Sequence, residues 1–208
     1  MSNTDPVIEA MGTARSMRWL KPDPVDPDLV TRVIWAGTRA SSPNNVQPWE
    51  FVVVTSAQAK RRIHEALLAG FGPIASALPD DQDPRLPSDP SERRTYQGAR
   101  NLMANLPSVP VIVLVGAWNI YPADEPVAEM AYSAIFAAAQ NMLVAARSLG
   151  LGAAFTTFHR AAEAQIRSFL NLPPDLILGV TMPLGWPDRP FGPVQRRPVE
   201  EVIHYECW

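Results

Sequence analysis

Ala40-Ser41-Ser42-Pro43-Asn44-Asn45-Val46-Gln47-Pro48-Trp49 is a loop of small polar side chains set between a helical pattern over 27–39 and an apolar strand pattern over 51–55. A connector between two such elements needs only a few residues. This one carries two hydroxyls and three carboxamides, all neutral hydrogen-bonding groups. Such a set suits a flat ligand with donors and acceptors along its edge. It equally suits an Asx- and Ser-rich turn that satisfies its own backbone. The stretch by itself does not choose between them.

On the N-terminal side, Asp26-Pro27-Asp28 reads as the cap of the 27–39 helix, with Leu29, Val30, Val33 and Ile34 turned to a core. Before it, Thr4 or Asp5 with Pro6 starts an opening helix that runs into Arg15-Ser16-Met17-Arg18. Arg15 and Arg18 are three apart, so at a helix end both guanidinium groups share a side. Two forked cations with a hydroxyl between them chelate a phosphate monoester; two arginines solvated in a last helical turn are the plainer reading.

On the C-terminal side, Phe51-Val52-Val53-Val54-Thr55 reads as a strand buried on both faces. Ser56 then caps a helix over 57–69 that Gly70 ends, with Lys60, Arg61 and Arg62 on a solvated face and His64 at the surface or an interface. Residues 71–95 hold Pro73, Pro79, Pro84, Pro87 and Pro90 among Asp and Ser, without periodicity, which predicts a flap. A weak helical pattern over 96–106 leads to a second buried strand over 109–116, then to the strongest helical pattern, 127–149. Its alanines and spread polar residues favour a closely packed core helix over a membrane span. A short strand over 151–157, an amphipathic helix over 161–170 and a third strong strand over 176–184 follow. The tail from 199 reads as an edge strand or an arm that pairs with another subunit.

At 208 residues, with 47% hydrophobic and 19% charged residues, the chain fits one globular domain with a core that needs no metal or disulfide. Scattered basic residues and a net charge of −3 exclude a nucleic-acid surface. Cys207, His64, His159 and His204 show no metal-ligand spacing, so no metal is expected. No signal core precedes the first arginine, and the lone cysteine suits a reducing compartment, so a cytoplasmic protein is expected. No Gly-x-Ser-x-Gly elbow occurs, and Gly150-Leu151-Gly152 follows a helix instead of opening one, which rejects a dinucleotide fingerprint. What remains is a distributed set: Arg15/Ser16/Arg18, the 41–47 loop, the 150–157 turn, and Arg196/Arg197. Two arginine clusters for a dianion and an amide-rich loop for a flat ring are what a phosphate-bearing flavin such as FMN needs.

Taken in order, Ala14-Arg15-Ser16-Met17-Arg18, the 41–49 loop, Ala145-Ala146-Arg147-Ser148-Leu149-Gly150-Leu151-Gly152, Pro183-Leu184-Gly185-Trp186-Pro187 and Arg196-Arg197-Pro198-Val199-Glu200-Glu201-Val202 resemble the FMN-dependent nitroreductase superfamily. The resemblance covers nearly the whole chain. It implies an α+β fold with a central mixed, mostly antiparallel sheet flanked by helices, in a single domain (1–208) with the 71–95 flap and a C-terminal arm over 198–208. It also implies an intertwined homodimer with two FMN sites at its interface.

By position, Arg15, Ser16 and Arg18 would hold the FMN phosphate, ribityl chain and pyrimidine side. Ser41, Ser42, Pro43, Asn45 and Gln47 would meet the flavin held by the other subunit. Phe155, Thr156 and Thr157 would offer backbone groups near the ring's N5 and O4. Arg196 is the expected phosphate arginine, with Arg197 as a second. Ala14 and Pro43 depart from the pattern, which more often has an arginine and a small or polar residue there. The implied activity is ping-pong hydride transfer from NAD(P)H through FMN N5 to a nitroaromatic, quinone or similar electron-poor molecule, with no side-chain catalyst. Phe71, Tyr96 and Trp118 are candidates for stacking on the substrate. The alternatives are reductive dehalogenation of halophenols, for which Glu92 and Tyr96 supply part of a gripping set but Lys21 and Lys60 fall outside the flap, or a flavin-binding sensor or store without turnover.

Overall fold

A computed structural model describes residues 5–72, 82–120 and 128–208. Helix α1 (Pro6–Thr13) starts where Asp5 accepts hydrogen bonds from the Val7 and Ile8 amides. It ends earlier than expected: Ala14 is already extended, so Arg15-Ser16-Met17-Arg18 is extended chain and not a helical last turn. The reason is a competing partner, since the Met17 amide donates to the Ala153 carbonyl at 2.8 Å. Helix α2 (Pro27–Gly37) is capped by Asp26, as its sequence predicts, and buries Val30 and Val33.

Strands β1 (Trp49–Val54), β2 (Val111–Trp118), β3 (Gly152–Ala153) and β4 (Leu176–Gly185) form one sheet in the order β1-β2-β4-β3. The sheet expected to be mixed but mostly antiparallel has only antiparallel pairs among the described residues. β2 begins after Pro110, which has no N–H for the ladder, so the strand lies two residues later than its apolar run suggests. β1 is the edge strand, and Val53 is 41% exposed. The expectation of burial on both faces fails there because an all-apolar run looks alike at an edge and at a centre.

Alternate residues of β2 feed two cores. Val111, Val113 and Val115 pack with Val180 and Met182 of β4 against α2 and α5 (Ala128–Ser148). Ile112 and Leu114 pack on the other face against α3 (Ala57–Phe71), α6 (Glu163–Leu170) and the turn at Leu106. The result is an α/β/α sandwich with α5 as its central helix. Among the described residues no helix is long and apolar enough to cross a membrane.

Two expectations for α3 are corrected. The helix runs through Gly70 and stops at Gly72, whose φ of 56° closes it; Gly70 stands where a Cβ would come within 1.8 Å of the Ala161 carbonyl oxygen. Lys60 is buried and not solvated, its ammonium donating to the Val109 carbonyl at 2.6 Å and the Pro110 carbonyl at 3.3 Å. Of the expected flap, residues 73–81 lie outside the described residues. Residues 90–95 open α4 (Pro90–Asn105), which Asp89 caps through the Ser91 and Glu92 amides. The tail holds one 3₁₀ turn (Val199–Glu201) and, among the described residues, no strand pairing; it lies exposed on this chain.

Candidate functional site

The extended segment 15–19 is held from two sides. Towards β3, the Phe155 amide donates to Ser16 Oγ at 3.1 Å, and the Met17 amide to Ala153. Towards the end of β4, Leu20 bridges Pro187, and the Asp188 amide donates to the Trp19 carbonyl. From there residues 188–196 double back past α1, where the Val194 amide donates to the Gly12 carbonyl. Helix α4 closes the third side. Gly98 permits this, because a Cβ there would lie 3.0 Å from the Trp19 ring and 3.1 Å from Arg18 Cδ. Asn101 Nδ2 donates to the Arg18 carbonyl at 2.9 Å and locks the contact.

Between these three walls opens a cleft of about 830 Å3. Arg15, Arg18, Arg94, Arg189 and Arg196 line it together with Ser16, and no carboxylate does among its described lining residues. Arg18 is half-buried, makes no ion pair among the described residues, and burial pushes its pKa down. A guanidinium stripped of water without an anion is costly, so this one is poised to gain from an anionic ligand. Arg15 and Arg196 use one N–H each on carbonyl groups, of Pro190 and Gln195, at 2.8 Å. Their other donors are open among the described residues.

The predicted cofactor-binding residues fall into three groups. Arg15, Ser16, Arg18 and Arg196 share the cleft, while Arg197 is exposed beside it in sequence and does not line it. Phe155 reaches the site through Ser16. Thr156 gives its amide, carbonyl and hydroxyl to Thr181, at 3.1, 2.8 and 2.7 Å, which leaves the exposed Thr157 amide as the open donor of that turn. Under the turn, the buried His159 holds Thr181 Oγ1 with its amide at 3.2 Å and Nδ1 at 3.0 Å.

Ser41, Ser42, Pro43, Asn45 and Gln47 form a separate patch that does not line the cleft of this chain. Ser42 folds the loop by accepting from the Gln47 amide at 3.0 Å. Asn44, Asn45 and Gln47 all have positive φ, a concentration of strain that ordinary connectors lack.

Phe71, Tyr96 and Trp118 each make an intramolecular contact. Phe71 stands edge-on to Phe158 with centroids 5.8 Å apart, and Trp118 Nε1 donates to Glu50 at 2.9 Å. The Tyr96 hydroxyl donates at 2.8 Å to the buried Asp83, which also holds Arg85 at 2.7 Å and Arg100 at 3.3 Å. The Arg85 hydrogen bond, aided by the Tyr96 hydroxyl, outweighs the upward push of burial and holds the Asp83 carboxyl well below the usual range. None of the three aromatics lines the cleft. Sequence reasoning missed Arg94 and Arg189: one is obscured by the flap expectation, the other by a proline-rich connection without periodicity.

A nitroreductase family model matches residues 12–186, a span that contains the 15–19 segment, the 41–47 loop, α4 and the 155–157 turn. The chain belongs to the nitroreductase family. An NADH dehydrogenase of Thermus thermophilus is 26% identical over 216 residues, covering 98% of each chain. The crystal structure of a nitroreductase with bound FMN from Desulfitobacterium hafniense matches with a TM-score of 0.73 at 17% identity, over 98% of this chain and 100% of that one. Iodotyrosine deiodinase bound to FMN and 3-iodo-L-tyrosine matches with a TM-score of 0.74 at 19% identity, over 97% and 100%. The structural likenesses establish the nitroreductase α+β fold.

Proposed function

We propose that this nitroreductase-family chain binds FMN and is an NAD(P)H-dependent oxidoreductase of the nitroreductase type, acting on a nitroaromatic, quinone or similar electron-poor small molecule. The observation that carries the reading is Arg18: a half-buried cation without a counter-anion among the described residues, in an arginine-lined cleft whose backbone is pinned to residues 153–155. A dianionic phosphate ester with a flat, hydrogen-bonding head fits that donor set. FMN bound there would supply hydride chemistry that no side chain of the site offers.

The chain's own residues bind and orient. Arg15 and Arg196 would hold the phosphate, with Arg197 as a further charge at its rim. Ser16 ties the Arg15–Arg18 segment to Phe155 through its hydroxyl, which sets the arginines of that segment against the 155–157 turn. Thr157 offers its amide, and Thr156 acts through the Thr181 bridge that fixes the turn. Arg18 would bring positive charge to the pyrimidine side of a bound flavin.

The loop holding Ser41, Ser42, Pro43, Asn45 and Gln47 is proposed to cover the flavin of a second subunit in an intertwined homodimer. Exposed Val46 and Phe136, and Val202, Ile203, Tyr205 and Trp208 of the 198–208 arm, support burial against a partner copy. We place the protein in the cytoplasm. The deiodinase-type alternative finds less support, since Tyr96 is spent on Asp83 and Lys60 on main-chain carbonyls.

Initial-rate kinetics with NADH or NADPH against a nitroaromatic and a quinone test the reading. The expected double-reciprocal lines are parallel, as in ping-pong turnover. Intersecting lines would show that both substrates must be bound at once.

A further inference from the structure

The cleft carries more positive charge than one flavin phosphate uses. Five arginines line it, and no carboxylate opposes them among its described lining residues, in a chain whose net charge is −3. Arg15, Arg18 and Arg196 surround the place assigned to FMN, whose phosphate carries about two negative charges at neutral pH. Arg94 and Arg189 are left over.

These two are neighbours through Trp19. The Arg189 guanidinium lies 5.5 Å from the centroid of the Trp19 ring. The same ring meets α4 at Gly98, and Arg94 stands one helical turn before Gly98, on the same side of α4. Both arginines are exposed, and neither makes an ion pair or donates a hydrogen bond among the described residues. Trp19 is half-buried and lines the same cleft as both arginines, an aromatic wall with the Arg189 guanidinium over its ring and the Arg94 turn of α4 packed at Gly98.

We propose that Arg94 and Arg189 form a second anion subsite that takes the 2′-phosphate of NADPH, and that the protein therefore prefers NADPH to NADH. The inference rests on the reductase reading above. The two nicotinamide nucleotides differ only by that phosphate monoester, and an exposed guanidinium pair discriminates a dianion from a hydroxyl through charge-assisted, bidentate hydrogen bonds. NADH presents a hydroxyl in place of the dianion and gains no charge-assisted contact from either fork. The preference belongs to the rim of the cleft and leaves the flavin end untouched.

Equilibrium titration of the purified FMN-loaded protein with NADP+ and NAD+, followed by calorimetry, tests the proposal, with 2′-phospho-AMP and AMP as fragments that isolate the phosphate. The expected result is binding of NADP+ at least about tenfold tighter than NAD+, with 2′-phospho-AMP preferred over AMP in the same direction. R94Q, R189Q and the double variant should each erode that ratio, while the FMN dissociation constant stays that of the parent. Equal affinities for NADP+ and NAD+ overturn the proposal, and so does a variant that loses FMN instead of NADP+ preference. If the parent protein binds no FMN at all, the reductase reading itself fails, a result distinct from either.

Discussion

Arg196 stands exposed at the mouth of the cleft with one N–H spent on Gln195. Its replacement disturbs no packing, so Arg196→Ala reports on ligand binding alone. Loss of one charge-assisted phosphate contact should weaken FMN binding by roughly 1.5–3 kcal/mol. Fluorescence titration of the apoprotein with FMN measures this, and an unchanged dissociation constant removes Arg196 from the site. His159 makes a different residue-scale prediction. Burial, the dominant cause, holds its pKa below the ordinary imidazole value, and His64 shifts the same way. Between the lowered folded value and the ordinary one, the unfolded chain takes up protons that the folded chain refuses. Stability therefore falls as pH drops through that window. Melting curves between about pH 7.5 and 5 should show a falling Tm. His159→Asn, which keeps an acceptor towards Thr181, should flatten the fall; an identical slope would exclude His159 as its source. The sequence showed the arginines and their order, but Lys60 misled. Beside Arg61 and Arg62 it looks like part of a solvated face, and only the fold brings the Val109 and Pro110 carbonyls to its ammonium. Lys60→Met should cost about 1–3 kcal/mol in chemical denaturation by stranding the Val109 carbonyl; an unchanged midpoint would mean water replaces the ammonium.

Among the elements, the helices and central strands were legible because periodicity, caps and apolar runs agree. Asp5, Asp26 and Ser56 all cap where their sequence context says. What escaped was decided by neighbours distant in sequence. α1 stops at Thr13 because Ala153 offers the Met17 amide a strand partner, and β1 is an edge because of sheet order. α3 passes Gly70 because that glycine serves close contact with Ala161 and not termination. Gly70→Ala would force a methyl into the Ala161 carbonyl, and main chain cannot swing aside as a flexible side chain does. Destabilisation of at least about 1–3 kcal/mol is expected from denaturant midpoints. A neutral substitution would refute the close packing of α3 on the 158–161 turn.

For the whole molecule, the separation of two groups is the feature that matters. Arg15, Ser16, Arg18 and Arg196 converge on one cleft, whereas Ser41, Ser42, Pro43, Asn45 and Gln47 form a strained loop outside it. Order along the sequence shows that both groups exist but is silent on whether one chain unites them. The proposed homodimer supplies the union, with exposed apolar residues of the 198–208 arm buried against the partner. The most direct test of the central claim is the visible spectrum of the purified protein during anaerobic titration with NADPH and then NADH. A stoichiometric flavin absorption band that either nucleotide bleaches, NADPH at lower concentration, is the expected result. A colourless protein that takes up no FMN, or a bound flavin that neither nucleotide reduces, would contradict it.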